Sequence, residues 1–242
     1  MQLMPNIRTI LPKDSERLML VLLMVFASLI LISSFTNLGP IYLSDEVHYA
    51  AKAAHLAGQN NLLSSSWHAG YSLTLVPIFK LFGIQQTTWL AIATFNLILL
   101  IGSIGFWYST LQHVGISKTQ SLLLSISSLV CFSVWGFTAW MFVNPWMQLI
   151  IAMMCRWLLI KHFYRQLFAI TLTSSFAYWF HPTGLLIAGC AWLVVIANLA
   201  SSKHKRQLKS IGSTLLGLFI TGSLILLYQA IHSKINISMG GD

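Results

Sequence analysis

The chain of 242 residues is 56% hydrophobic and only 8% charged, with fourteen Lys and Arg against five Asp and Glu. Soluble globular domains carry about a quarter charged residues, so this composition excludes an ordinary soluble domain and indicates an integral membrane protein. The formal net charge of +9 does not indicate a nucleic-acid binder, because the basic residues fall in short segments between long apolar runs.

The hydropathy pattern predicts an all-α, polytopic membrane protein with about seven transmembrane helices and no soluble domain. Residues 1–17 form a basic tail, 18–231 the membrane module and 232–242 a short polar tail. The predicted spans, in chain order, are 18–35, 88–108, 120–141, 146–160, 166–180, 184–199 and 211–231.

The basic residues predict the side of the membrane on which each loop lies. With seven spans and a cytoplasmic N-terminus, only Lys52, Lys80 and Lys234 of the fourteen Lys and Arg fall outside. This is the excess of positive charge expected of cytoplasmic loops. The first outer loop, 36–86, therefore faces the non-cytoplasmic side.

This outer loop is expected to hold a pair of amphipathic helices beside the membrane. Ser44 is a suitable N-cap for the first helix. One face is apolar: Val47, Ala51 and Ala54. Another carries polar groups at helical spacing: Asp45, His48, Lys52 and His55. The second helix, 71–82, contains Pro77 and is too short to cross, so we expect it to be interfacial or re-entrant.

The acidic pair Asp45 and Glu46 has two interpretations. Carboxylates at the start of a helix complement its dipole for a few tenths of a kcal/mol. They could equally handle a proton or a metal ion, since imidazole and ammonium groups lie nearby. With His181, the pair offers oxygen and nitrogen ligands for a divalent ion, but no HxxxH or HExxH pattern is present. A divalent metal is left open, and no cofactor is certain.

Three segments together resemble the GT-C superfamily of membrane glycosyltransferases. They are Ser-Asp-Glu-Val-His-Tyr-Ala at 44–50 with Gly58 beyond it, WHAGYSLTLVPIFKLFG at 67–83, and HPTGLL at 181–186. The similarity is greatest to the bacterial branch of protein mannosyltransferases and aminoarabinose transferases. It covers the chain from the first span to the seventh. Two departures stand out: His181 replaces a frequent Arg, and His68-Ala69-Gly70 replaces a Pro-rich segment.

The resemblance implies an enzyme of the bacterial inner membrane that transfers a sugar from a polyprenyl-phosphate carrier on the non-cytoplasmic face. Asp45 would act as general base toward an acceptor hydroxyl, with Glu46 in support. Residues expected to bind substrate are His48, Tyr49, Lys52, His68, Tyr71, Lys80 and His181. Among these, Lys52, Lys80 and His181 are the candidates for the phosphate.

The implied partners are the lipid-linked sugar, membrane lipid, and a glycan, lipid or protein acceptor. Family members are usually longer, so the chain is expected to match their N-terminal seven-span module. Two alternatives remain open. The first is a non-catalytic membrane subunit or lipid-binding partner of a second membrane protein. The second is a small transporter.

Overall fold

The computed structural model describes residues 44–59, 69–131, 144–201 and 208–238, together with the isolated positions 21 and 25. Within these residues the chain is all-helical, which confirms the predicted fold class. The described helices are α1 (Ser44–Leu56), α2 (Ala69–Phe82), α3 (Gln86–His113), α4 (Lys118–Cys131), α5 (Asn144–Leu158), α6 (Phe163–Phe180), α7 (Gly184–Ser201) and α8 (Leu208–Ser238).

Two of these helices are long and apolar enough to cross a membrane: Gln86–His113 in α3 and Lys209–Ile235 in α8. The expected count of seven is not reached in the described part of the chain. The described part of α4 ends at Cys131, next to residues that the structure does not describe. The 15 described residues of α5 extend about 22 Å at 1.5 Å per residue, short of a hydrocarbon core of about 30 Å. Helix α6 is longer but carries buried hydroxyl residues that lower its hydropathy. The predicted first span and residues 132–141 of the third lie outside the described residues.

Helices α3 and α5 run parallel and pack along most of their length. Near their starts, the rings of Phe95 and Trp146 are 6.1 Å apart. Two to three turns further on, Phe106 packs against Trp157 at 5.5 Å. Arg156 Nε donates a hydrogen bond to Ser109 Oγ at 3.0 Å in the same region.

Helix α6 returns antiparallel to α5, and α8 runs parallel to α6. The ring of Phe180, at the end of α6, stacks on Trp146 at 4.4 Å. Trp179 stacks on Tyr228 of α8 at 5.3 Å. The starts of α3 and α5 and the ends of α6 and α8 therefore meet at one end of the bundle, which we call the site end.

Helices α2 and α3 form an antiparallel hairpin at the site end. Gly83 has φ +66, a left-handed conformation that glycine adopts without steric cost and that commonly ends a helix. Its N–H donates to the carbonyl of Phe79 at 2.9 Å, and the hydroxyl of Thr88 donates to the Gly83 carbonyl at 2.7 Å. Helix α1 packs on α2, so the two short helices form one unit against the bundle.

Candidate functional site

The acidic motif occupies the first turn of α1, as predicted, because the helix begins at Ser44. The side chains of Asp45 and Glu46 lie outside the described residues. Their backbone positions nevertheless define a register. Position 45 is seven residues, or nearly two turns, before Lys52, and residues at this spacing share one face of a helix.

Lys52 is completely buried, with 0% of its surface exposed. Ala51 and Ala54 are buried as well, so α1 is covered on both the predicted apolar face and part of the predicted polar face. Lys52, which lies on the predicted polar face, is therefore inside the protein. Burial lowers the pKa of its amine to about 8, because a charged group loses hydration inside the protein.

Tyr49 and Tyr71 connect α1 to α2 within this buried region. Their rings meet edge to face with centroids 5.2 Å apart. The hydroxyl of Ser72 donates to the backbone carbonyl of Tyr49 at 3.1 Å. The hydroxyl of Tyr71 donates to Oδ1 of Asn96, on α3, at 3.1 Å. The sequence-predicted residues Tyr49, Lys52 and Tyr71 are thus buried where α1 meets α2.

Asn96 was not among the sequence candidates, although it belongs to this group. It is completely buried within α3, one of the two helices of membrane-crossing length. A signal was available, because a polar side chain inside a long apolar run must find a partner and often marks a functional position. The Tyr71 hydroxyl satisfies that requirement.

The start of α2 touches two further elements of the site end. The N–H of Ala69 donates to the hydroxyl of Tyr228 at 2.7 Å. A Cβ atom on Gly70 would lie 2.0 Å from the backbone oxygen of Trp179, so α2 lies directly on the backbone of α6. No sequence pattern marks Tyr228, since an aromatic residue near the end of a long apolar helix is expected as an interfacial anchor.

The remaining predicted residues are not gathered at this group. Lys80 is exposed near the far end of α2. The Nδ1 atom of His181 lies 2.8 Å from the Thr183 hydroxyl and accepts from the Thr183 N–H at 3.3 Å, so it stabilises the turn between α6 and α7. His48 and His55 are partly buried on α1. His68 lies outside the described residues.

Within the described residues, no group of three His, Cys, Asp or Glu side chains could hold a metal ion. Of the expected ligands Asp45, Glu46 and His181, only the side chain of His181 is described. One of its two ring nitrogens is already engaged by Thr183. The described side chains thus supply no metal-binding set.

Comparison with known protein families, with curated proteins and with solved structures finds no match for this chain.

Proposed function

We propose that the protein is a membrane glycosyltransferase that moves a sugar from a polyprenyl-phosphate carrier to an acceptor hydroxyl. One observation carries the proposal. The two segments with the strongest resemblance to the GT-C superfamily, 44–58 and 67–83, contribute α1 and α2, which pack on each other, and α2 packs on α3 and α6 of the bundle. A site made from both segments requires that α1 and α2 pack on each other. Their closeness in the sequence does not by itself produce this packing.

The proposed reaction is an inverting displacement at the anomeric carbon. The acceptor oxygen bonds to that carbon as the bond between the carbon and the phosphate oxygen breaks, and Asp45 takes the acceptor proton. Polyprenyl phosphate leaves with an additional negative charge. A cation beside the phosphate stabilises that charge, and a site shielded from water strengthens the interaction.

Lys52 is the cation best suited to this role among the expected phosphate ligands. It shares the helical face of position 45, whereas Lys80 is exposed at the other end of α2 and His181 Nδ1 is engaged in a turn. With a pKa of about 8, most of its amine is protonated at pH 7. Because Lys52 is buried, the donor phosphate reaches it only when the atoms that cover it move apart.

We further propose the membrane arrangement given by the charge distribution: seven spans in a bacterial inner membrane, a cytoplasmic N-terminus and a non-cytoplasmic site end. The two helices of membrane-crossing length support membrane insertion. In this arrangement α2 enters the outer leaflet beside the first half of α3. The site end then meets a lipid-linked donor at the depth of its phosphate.

The test is transfer of labelled sugar from a polyprenyl-phosphate donor by membranes that contain the full chain. Loss of a positioned general base typically lowers a rate by about 10²–10⁴-fold, and we expect a loss of this size for Asp45→Asn. Asp14→Asn makes the same chemical change in the N-terminal tail and should leave transfer unchanged. Equal transfer by wild type and Asp45→Asn would refute the catalytic role.

A non-catalytic subunit is the second candidate, and the burial of Lys52 favours it. A lysine closed off from solvent, with His181 committed to a turn, is consistent with a module that retains the fold without turnover. This candidate predicts stable co-purification with a second membrane protein and no transfer by the wild-type chain alone.

A further inference from the structure

Tyr228 of α8 supplies a hydrogen-bond partner to a residue 159 positions earlier in the chain. Its side chain is 1% exposed, and its hydroxyl accepts from the N–H of Ala69 at 2.7 Å. Ala69 is the first residue of α2, and the first N–H groups of a helix have no partner within that helix. Because Ala69 is completely buried, the Tyr228 hydroxyl replaces the water that this backbone donor loses on folding.

The neighbouring contacts hold the start of α2 from a second side. Trp179 stacks on Tyr228, and its indole N–H donates to the carbonyl of Leu224 at 3.3 Å. Gly70 lies so close to the Trp179 carbonyl that no Cβ fits between them. Position and orientation of the first α2 turn are thus set by α6 and α8 together.

The next two residues of α2 transmit this position to α1. Tyr71 contacts the ring of Tyr49 and bonds to Asn96. Ser72 bonds to the backbone carbonyl of Tyr49. The contacts with the helix that carries positions 45 and 52 therefore lie only two and three positions after Ala69.

We propose that Tyr228 is a positioning residue. Its hydroxyl fixes the α1–α2 unit against the bundle and thereby sets where Asp45 and Lys52 meet the donor. The effect of Tyr228 on the transfer rate rests on the proposed function, whereas its effect on the position of α2 does not. Helix α8 then contributes to the site without its side chains touching the reacting atoms.

The experiment compares the full-length wild type with Tyr228→Phe and Tyr178→Phe. Tyr228→Phe keeps the ring that stacks on Trp179 and removes only the hydroxyl. Tyr178→Phe is the matched control, because its ring packs on Tyr228 at 5.8 Å and its hydroxyl accepts a bond from Gln229 instead of from α2. Amide hydrogen exchange in the peptide that begins at Ala69 is measured by mass spectrometry, and transfer kinetics are measured in parallel.

For Tyr228→Phe we expect exchange at the start of α2 to rise about tenfold, the size of effect that loss of one buried hydrogen bond produces. We also expect kcat to fall about tenfold while KM for the lipid-linked donor stays within about twofold, since a misplaced catalytic group acts on the transition state. Tyr178→Phe should match wild type in both measurements.

Unchanged exchange in Tyr228→Phe would overturn the inference whether or not the protein is active. Raised exchange with unchanged kcat would also overturn it, because the hydroxyl would then be structural only. A wild-type chain with no transfer activity would contradict the proposed function instead, and the exchange measurement would still decide whether Tyr228 holds α2.

Discussion

Lys52 is completely buried on α1, and a lysine side chain is almost never fully buried unless it is paired. Its pKa of about 8, against an ordinary 10.5, means that the folded chain holds this proton less tightly than the unfolded chain does. Retaining such a residue reduces stability. Strongly perturbed titratable groups are enriched at functional sites, which is consistent with the role proposed for Lys52.

Lys52→Met should stabilise the protein while impairing transfer. A pKa difference of about 2.5 corresponds to roughly 3 kcal/mol, a cost that is fully present below pH 8. Between pH 8 and 10.5 the unfolded chain binds the proton that the folded chain lacks, so wild-type stability rises with pH in this window. The Met side chain does not ionise, so the variant lacks both the free-energy cost of burying a charge and the rise of stability with pH. We expect unfolding, followed by tryptophan fluorescence, to shift several degrees upward at pH 7.

The exposed Lys80 provides the control for this comparison. Lys80→Met should change stability by no more than about 0.5 kcal/mol and keep the wild-type rise with pH. A Lys52→Met protein that melts lower than wild type at pH 7 would show that the contacts of the amine outweigh its burial.

The residues of the site were only partly predictable from sequence. Tyr49, Lys52 and Tyr71 could be selected because they lie near an acidic motif on short amphipathic segments. The burial of Lys52 could not be predicted. Its helical face also carries histidines and an aspartate, and such a polar pattern favours a side that faces solvent. This burial depends on contacts between segments that are distant in the chain, which a helical pattern does not specify.

The start of α2 shows how one glycine determines the position of a helix. Gly70 brings the backbone of α2 against the backbone of α6, closer than any side chain permits. A similar close approach occurs at Gly184, where a Cβ would lie 2.1 Å from the carbonyl oxygen of Ala177. Backbone atoms can yield only if a whole helix shifts, so these contacts fix the distance between elements.

Gly70→Ala should destabilise the α1–α2 unit. The added methyl must displace α2 from α6, and overpacking of this kind costs about 1–3 kcal/mol. For a chain of this size, that corresponds to a fall in Tm of roughly 2–12 °C. Gly105→Ala is the control, because no atom lies within 4 Å of the added Cβ and Ala is the better helix former. Equal melting of the two variants would contradict the close packing of α2.

Helix positions followed from the sequence more closely than helix lengths did. The predicted segment 166–180 corresponds to α6 (Phe163–Phe180), and 211–231 to α8 (Leu208–Ser238). Apolar runs mark helices reliably because both membrane and core helices bury them. The predicted segment 146–160 already has the same 15 residues in length as α5, fewer than the roughly 20 that a spanning helix needs. Some predicted spans were therefore helices too short to cross, and the described part of the chain contains two helices of membrane-crossing length.

At the scale of the whole molecule, the site end joins residues that are far apart in the chain. Tyr49 on α1 and Asn96 on α3 both contact Tyr71, Trp146 on α5 stacks on Phe180 of α6, and Tyr228 on α8 accepts from the N–H of Ala69 on α2. Parallel and antiparallel packing of α3, α5, α6 and α8 creates this meeting point. Sequence spacing cannot reveal which residues meet there. The up-and-down order of the helices determines which helix ends lie together, but it does not determine which side chains are in contact.

In the proposed mechanism, positions 45 and 52 form one site for a lipid-linked sugar phosphate. The most direct test is a double-mutant cycle in vesicles, with transfer measured for wild type, Asp45→Asn, Lys52→Met and the double variant. Groups that act as a unit have strongly non-additive effects. We therefore predict that the double variant is about as slow as the slower single variant. Transfer in which the two losses multiply, or in which neither substitution lowers the rate, would contradict the account.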